Sequence, residues 1–329
     1  MRPAAALAGL GVALAGSALL GVLAGAVAVG PGDVVAALAG GADAPTTAII
    51  RELRLPRVIA AALVGGALGV AGALLQGLLR NPLADPYVTG TSAGAALGSV
   101  ASVAAGAPAL VTPLAAFAGA LASVAVIWRL ARIGGRTTVL TVLLAGIVIS
   151  SFAGAVVTLL IVASDRLALR LRAVLDILVG GVTSRSAAEL AVAIAIVAGA
   201  TVWALALARR LDAYAFGEET AATLGVDTDR TTASVLVVTA LLTGAAVALS
   251  GLVSFVGLVI PHALRPVVGA RHAVLVPACL LGGATALVLA DLGARIALAP
   301  AELPVGVITG LVGAPFFLLV LARASRGVR

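Results

Sequence analysis

The chain is a succession of apolar runs, each about long enough to cross a bilayer and separated by only a few polar residues. A helix spans the hydrocarbon with roughly 20 mainly apolar residues. That rule marks ten spans, at about 4–30, 56–79, 87–107, 113–132, 138–163, 188–208, 230–250, 251–268, 273–298 and 305–322. With 62% hydrophobic and 11% charged residues over 329 positions, no stretch is polar enough to build a domain outside the membrane. Inside lipid every backbone N–H and C=O needs a partner within the protein, so an all-α integral membrane fold follows. One transmembrane domain is expected over 1–329, with an external connection at 31–55 and a cytoplasmic loop at 209–230. The first apolar run exceeds the h-region of a signal peptide, about 7–15 residues, and is read as a retained helix.

Every one of the 21 basic residues is arginine, and there is no lysine. A P-loop needs its lysine on the nucleotide phosphates, so this chain is not its own P-loop ATPase. The net charge of +7 does not point to nucleic acid, because the arginines are scattered singly between apolar runs. Placing both termini inside puts 13 arginines on the cytoplasmic side and 8 outside, the direction of the positive-inside rule. The outer eight then need a reason of their own. Arg51, Arg54 and Arg57 crowd the start of the second span and read equally well as snorkelling anchors or as a docking surface for an acidic partner. The single cysteine, Cys279, excludes an intrachain disulfide and a thiolate cluster.

Five of the 14 acids fall within 209–230. Glu218 to Gly225 reads as a short helix, with acids in the first turn and a glycine closing it. Its Ala/Leu side suits a groove of another protein. Asp33 is expected to cap a short helix in the external connection. Asp291 and Arg295 share a helix face four residues apart and read as an ion pair. His262 is expected at a helix end and His272 in a solvated turn, neither with metal-ligand spacing. Gly90-Thr91-Ser92-Ala93-Gly94 has the G-x-S-x-G spacing of a serine nucleophile, but that elbow requires a preceding strand, and close helix packing is the better account. Gly65, Gly69 and Gly72 suit close helix approach. Gly65 over Gly244, Gly72 over Gly251 and Pro82 over Pro261, all 179 residues apart, suggest an inverted repeat.

Several motifs in order resemble the FecCD/BtuC-type permease family, the membrane subunits of type II ABC importers for ferric siderophores, haem and vitamin B12. They are Arg54-Leu55-Pro56-Arg57, Leu75 to Pro86 (LQGLLRNPLADP), Gly90 to Ala95, Gly217 to Gly225, Phe255 to His262 (FVGLVIPH), Glu302 to Gly306, and Gly313 to Phe317. The resemblance implies ten helices with N-in/C-in topology in the bacterial cell membrane, and a type II ABC importer permease fold. It also implies a second permease subunit, identical or paralogous, two cytoplasmic ATPase subunits that carry ATP and Mg, and an external substrate-binding protein. This chain would bind no cofactor and do no covalent chemistry. Arg54, Arg57 and Arg295 match outward arginines that meet acids of the binding protein. Gly217, Glu218, Glu219, Thr220, Ala221, Ala222, Thr223, Leu224 and Gly225 match the coupling helix that enters the ATPase. Gln76, Asn81, Thr137, Thr138 and Thr141 are the pathway and gate candidates, although Val139 and Leu140 stand where the cobalamin permease has small polar residues. The expected cargo is an iron chelate, ferric siderophore or haem, with vitamin B12 as the alternative. A lone ion-coupled carrier, the alternative of another class, would need a midplane acid that these spans lack.

Overall fold

The computed structural model of the chain describes residues 3–25, 27, 29–87, 90–108, 111–131, 139–164, 171–299 and 301–326. Most of these residues are helical, and among them no strand forms. Helix α1 (Pro3–Leu23) is followed on the outer side by α2 (Pro31–Ala39) and α3 (Ala44–Ala48). A π-helical segment, Ile49–Arg54, then runs directly into α4 (Leu55–Leu79). Next come α5 (Thr91–Ala104), α6 (Val111–Ala131), α7 (Val139–Ala163) and the short α8 (Leu171–Val179). The second half comprises α9 (Ala187–Tyr214), α10 (Glu218–Thr223), α11 (Thr228–Ser250), α12 (Val256–Val268), α13 (His272–Ile296) and α14 (Val305–Arg326).

Among the described residues ten apolar helices therefore occur in the expected order, seven of them long enough to cross a membrane. The third and eighth spans differ from expectation. Helices α5 and α12 have only 14 and 13 residues, about 20 Å each. Both start from left-handed backbone, at Gly90 (φ 78°) and Phe255 (φ 67°). The preceding helices α4 and α11 end at Arg80 (φ 48°) and Gly251 (φ 68°). Helix α8 was not expected, because nine residues that include Arg172 and Asp176 escape a rule based on apolar length. Asp33 proves to be the third residue of α2 rather than its cap, and its carboxylate accepts the Gly30 N–H at 3.0 Å.

The two breaks reveal the inverted repeat. Helices α4 to α7 correspond to α11 to α14, with α1 and α9 ahead of them, so each copy holds five helices and the copies run in opposite senses. Packing follows the same correspondence: α4 lies on α13 as α11 lies on α6, α5 on α6 as α12 on α13, and α4 meets α11 at the centre. The 179-residue echo does not set this register. Leu55 and Thr228, Thr91 and Val256, Val111 and His272, and Val139 and Val305 open the paired helices at smaller separations.

Helix α4 is buried along most of its length, and glycine makes that possible. A Cβ on Gly65 would strike the Gly283 carbonyl, and one on Gly72 would strike the Gly257 backbone. Such backbone contact is the membrane's substitute for hydrophobic attraction between helices. The N-terminal part of α1 packs with Val268, Leu275 and Cys279 at one end of the molecule, and His272 joins Asp212 at that same end. The arginine bias makes it the cytoplasmic end. Gly72→Ala is expected to lower the thermal unfolding temperature in detergent, at a cost of about 1–3 kcal/mol for forced overpacking. Gly199→Ala, where nothing lies within 4 Å, should leave it unchanged or raise it.

Candidate functional site

At the outer end, α1 stops and leaves carbonyls that its own turns cannot satisfy. Two guanidiniums take them. Arg54 Nη1 donates to the Val22 and Leu23 carbonyls, each at 2.8 Å, and its Nη2 donates to that of Val27. Arg295 Nη1 and Nη2 donate to Ala24 (3.1 Å) and Gly21 (2.9 Å). Both side chains are buried. The same device recurs at other helix ends. Arg51 donates to the Leu38 carbonyl of α2 at 2.7 Å, and Arg185 to the Leu249 carbonyl of α11 at 2.9 and 3.2 Å. Burial lowers the Arg185 pKa, and nearby Glu189 opposes that shift. These outer arginines run against the positive-inside trend because each supplies a cation and donors at the negative end of a helix.

Arg57 has a different part. Its Nε lies 3.0 Å from Asp291 Oδ1 and its Nη1 2.7 Å from Glu302 Oε2. Asp291 Oδ2 in turn sits 3.1 Å from Arg295 Nε, a close ion contact without hydrogen-bond alignment. The expected Asp291–Arg295 pair is thus one edge of a four-residue network. Arg54, Arg57, Arg295, Ser184 and Glu302 line a cleft of about 320 Å³. The structure brings the three arginines together at the outer end, with different partners. Arg54 and Arg295 are committed to the end of α1, whereas Arg57, 17% exposed beside Glu302 at 47%, reaches the surface. Glu302 is 245 residues from Arg57, and only the conjunction of two separate motifs could have suggested the pair.

At the cytoplasmic end, α9 runs for 28 residues and closes on α11 through Tyr214, whose hydroxyl donates to the Thr228 carbonyl at 3.0 Å. Gly217 (φ 109°) turns the chain into α10 and Gly225 (φ 83°) turns it out, conformations that favour glycine. Within α10 only Ala221 is buried. Glu218, Glu219, Thr220, Ala222 and Thr223 are exposed, flanked by Phe216 and Leu224 at 75% and 65% exposure. The segment is a knob of acids with an apolar residue on each side. His272 is not solvated. It is buried, and Asp212 Oδ1 accepts both its backbone N–H (2.9 Å) and its Nδ1–H (2.7 Å).

The gate candidates separate. Thr137 and Thr138 lie outside the described residues, and Thr141 is half-buried in the first turn of α7. Gln76 is buried, and its Nε2 donates to the Leu258 carbonyl at 3.2 Å and the Gly257 carbonyl at 3.4 Å. Asn81 is a turn former, its Oδ1 accepting the Leu83 N–H at 2.9 Å. Asp85 accepts the Tyr87 N–H at 2.7 Å and faces Leu258 N–H at the start of α12. These side chains seal the break between α4 and α5. Ser92 is buried in the first turn of α5, while His262 lies within α12, edge-on to Phe316 with ring centroids 6.1 Å apart.

Ten apolar helices in two opposed copies, with a basic cleft at one end and an exposed acidic helix at the other, define a membrane permease. Residues 12–323 match the FecCD transport family, and the chain belongs to it. It is 42% identical over 282 residues to the cobalamin import system permease protein BtuC of Halobacterium salinarum, covering 84% of this chain and 74% of that one. It is 41% identical over 278 residues to the hemin transport system permease protein HmuU of Yersinia pestis, covering 83% and 82%. A solved metal-chelate type ABC transporter in an inward-facing conformation superposes with a TM-score of 0.85 at 29% identity, covering 96% of this chain and 98% of the other. The chain is a permease subunit of an ABC importer and a multi-pass protein of the cytoplasmic membrane.

Removing Asp291 would leave two arginines without their shared anion. Asp291→Asn is expected to cost about 3 kcal/mol, as when one partner of a buried pair is lost. The more exposed Glu302→Gln should cost less than about 1 kcal/mol. Thermal unfolding of the two purified variants compares them directly.

Proposed function

We propose that this chain carries an iron chelate, a ferric siderophore or haem, inward by alternating access, driven by two separate ATPase subunits. The observation that carries the proposal is α10, whose acids and flanking Phe216 and Leu224 stand exposed at the cytoplasmic end. A helix presented this way suits insertion into a cleft of another protein. We take Gly217 to Gly225 as the coupling helix. A movement of the ATPases would shift it, and the membrane subunit would rock as a body. A second permease subunit, a copy or a paralogue, would complete the central pathway. ATP and Mg would be held by the partner subunits, in keeping with a chain that has no lysine.

The outer cleft is the docking place we assign to a substrate-binding protein. The arrangement favours Arg57 as its recognition residue, with Glu302 holding the guanidinium until an acid of the partner arrives. Arg54 and Arg295 would support it from behind. Vitamin B12 is the second reading, favoured by the cobalamin permease of Halobacterium salinarum among the relatives. A panel of labelled haem, ferric siderophores and cobalamin, offered to the reconstituted complex, separates the two. Uptake of an iron chelate is expected, and uptake of cobalamin alone would replace the first reading with the second.

Two variants test the interfaces. Arg57→Gln is expected to weaken activation by the binding protein about tenfold, equivalent to about 1.4 kcal/mol. Glu218→Ala/Glu219→Ala is expected to reduce recovery of the ATPase with the permease, read as subunit stoichiometry after purification.

A further inference from the structure

Three groups of residues, running from the outer cleft to the base of α10, fall on one line through the molecule. Helices α4 and α13 are antiparallel and meet backbone to backbone: a Cβ on Gly65 would strike the Gly283 carbonyl, and one on Gly69 the Cys279 carbonyl. At the outer end the pair is closed by Arg57 of α4 on Asp291 of α13. At the cytoplasmic end it is closed by the His272 ring of α13, whose Nε2 lies buried against Gly77 of α4 and has no hydrogen-bond partner. Cores this close-packed transmit displacement rather than absorb it. The outer end of this pair is the docking cleft.

Its inner end is fastened to the base of the coupling segment. Asp212 lies in the last turn of α9, five residues before Gly217. Its Oδ1 accepts the backbone N–H of His272, an orphan donor at the start of α13, at 2.9 Å, and the ring Nδ1–H at 2.7 Å. An ionised carboxylate can only accept, so Nδ1 carries the hydrogen. A carboxylate at a helix N-terminus is also favoured by the macrodipole. The Arg80 guanidinium, at the end of α4, also lies near Gly217 at the entry to α10, 3.5 Å from where a Cβ would stand.

We propose that α4 and α13 form a strut joining the outer cleft to the coupling segment, and that the Asp212–His272 pair is the fastener that makes it one. Asp212 and His272 are then positioning residues for coupling. They touch neither cargo nor nucleotide, and they hold α10 in a fixed relation to the arginine network at the far end. This inference rests on the proposed function, because the strut has work to do only if the outer cleft and α10 both meet partners.

The test uses the full complex in liposomes, with its ATPase and binding protein, and reads the ratio of hydrolysis with binding protein to hydrolysis without it. Wild type is compared with Asp212→Ala, His272→Ala, the double variant, His272→Asn and His272→Gln. The single alanine variants are expected to assemble and to keep basal hydrolysis but to lose about threefold or more of the stimulation ratio. The double variant should lose no more than the worse single one, as two halves of one interaction do. His272→Asn can place an amide N–H where Nδ1 stood and should recover most of the ratio. His272→Gln places its amide where Nε2 stood and should not. That last comparison carries the test should an alanine variant fail to assemble. Full stimulation in both alanine variants, additive losses in the double variant, or equal behaviour of Asn and Gln would overturn the fastener while leaving the importer reading intact. A wild-type complex whose hydrolysis ignores its binding protein would overturn that reading and this inference with it.

Discussion

Lipid offers no water to a backbone group left over at a helix end or a chain break, and an unsatisfied group there costs several kcal/mol. The molecule's polar residues are distributed by that constraint. Arg54 and Arg295 satisfy the end of α1, Arg51 that of α2, and Arg185 that of α11. The amide of Gln76 satisfies carbonyls at the start of α12. Asp212 satisfies a donor at the start of α13. Arginine suits this work because its planar fork reaches two or three carbonyls at once and stays charged when buried.

The proposed function draws on what this capping leaves over. Asp291 balances the two cations that reach it, Arg57 and Arg295, and Arg57 extends the network to the surface at Glu302. The cleft is therefore basic, its guanidiniums held by carbonyls and carboxylates, and on the proposed function a face fixed in this way would lose little freedom when a partner docks. At the other end α10 is the reverse case, a short helix with a single buried residue and its acids and apolar flanks uncovered. An exposed segment of that kind on a closed base is expected where the partner supplies the missing half of the packing.

Much of this was legible in the sequence, and the boundary of legibility has physical causes. Ten apolar runs gave the helix order because crossing a bilayer is a length requirement that composition reveals directly. The same rule overextended the third and eighth spans, since glycine and the residues around Phe255 are apolar whether or not they are helical. It missed α8 altogether. The Asp291–Arg295 pair was visible at helical spacing, whereas Arg57–Glu302 and Asp212–His272 join segments far apart in the chain and carry no local signal. The motifs singled out Arg54, Arg57 and Arg295, which the fold brings to one cleft. They could not distinguish a guanidinium spent on helix-end carbonyls from one paired with carboxylates near the surface, because that difference lies in where α1 stops.

On the proposed function, this chain moves its cargo only when driven by a separate ATPase. The direct measurement is uptake of labelled haem and ferric siderophore by liposomes holding the chain with its ATPase, against liposomes holding the chain alone under proton or sodium gradients. Uptake is expected in the first case, dependent on enclosed ATP, and none in the second. Gradient-driven uptake by the chain alone would contradict it and make the protein a secondary carrier.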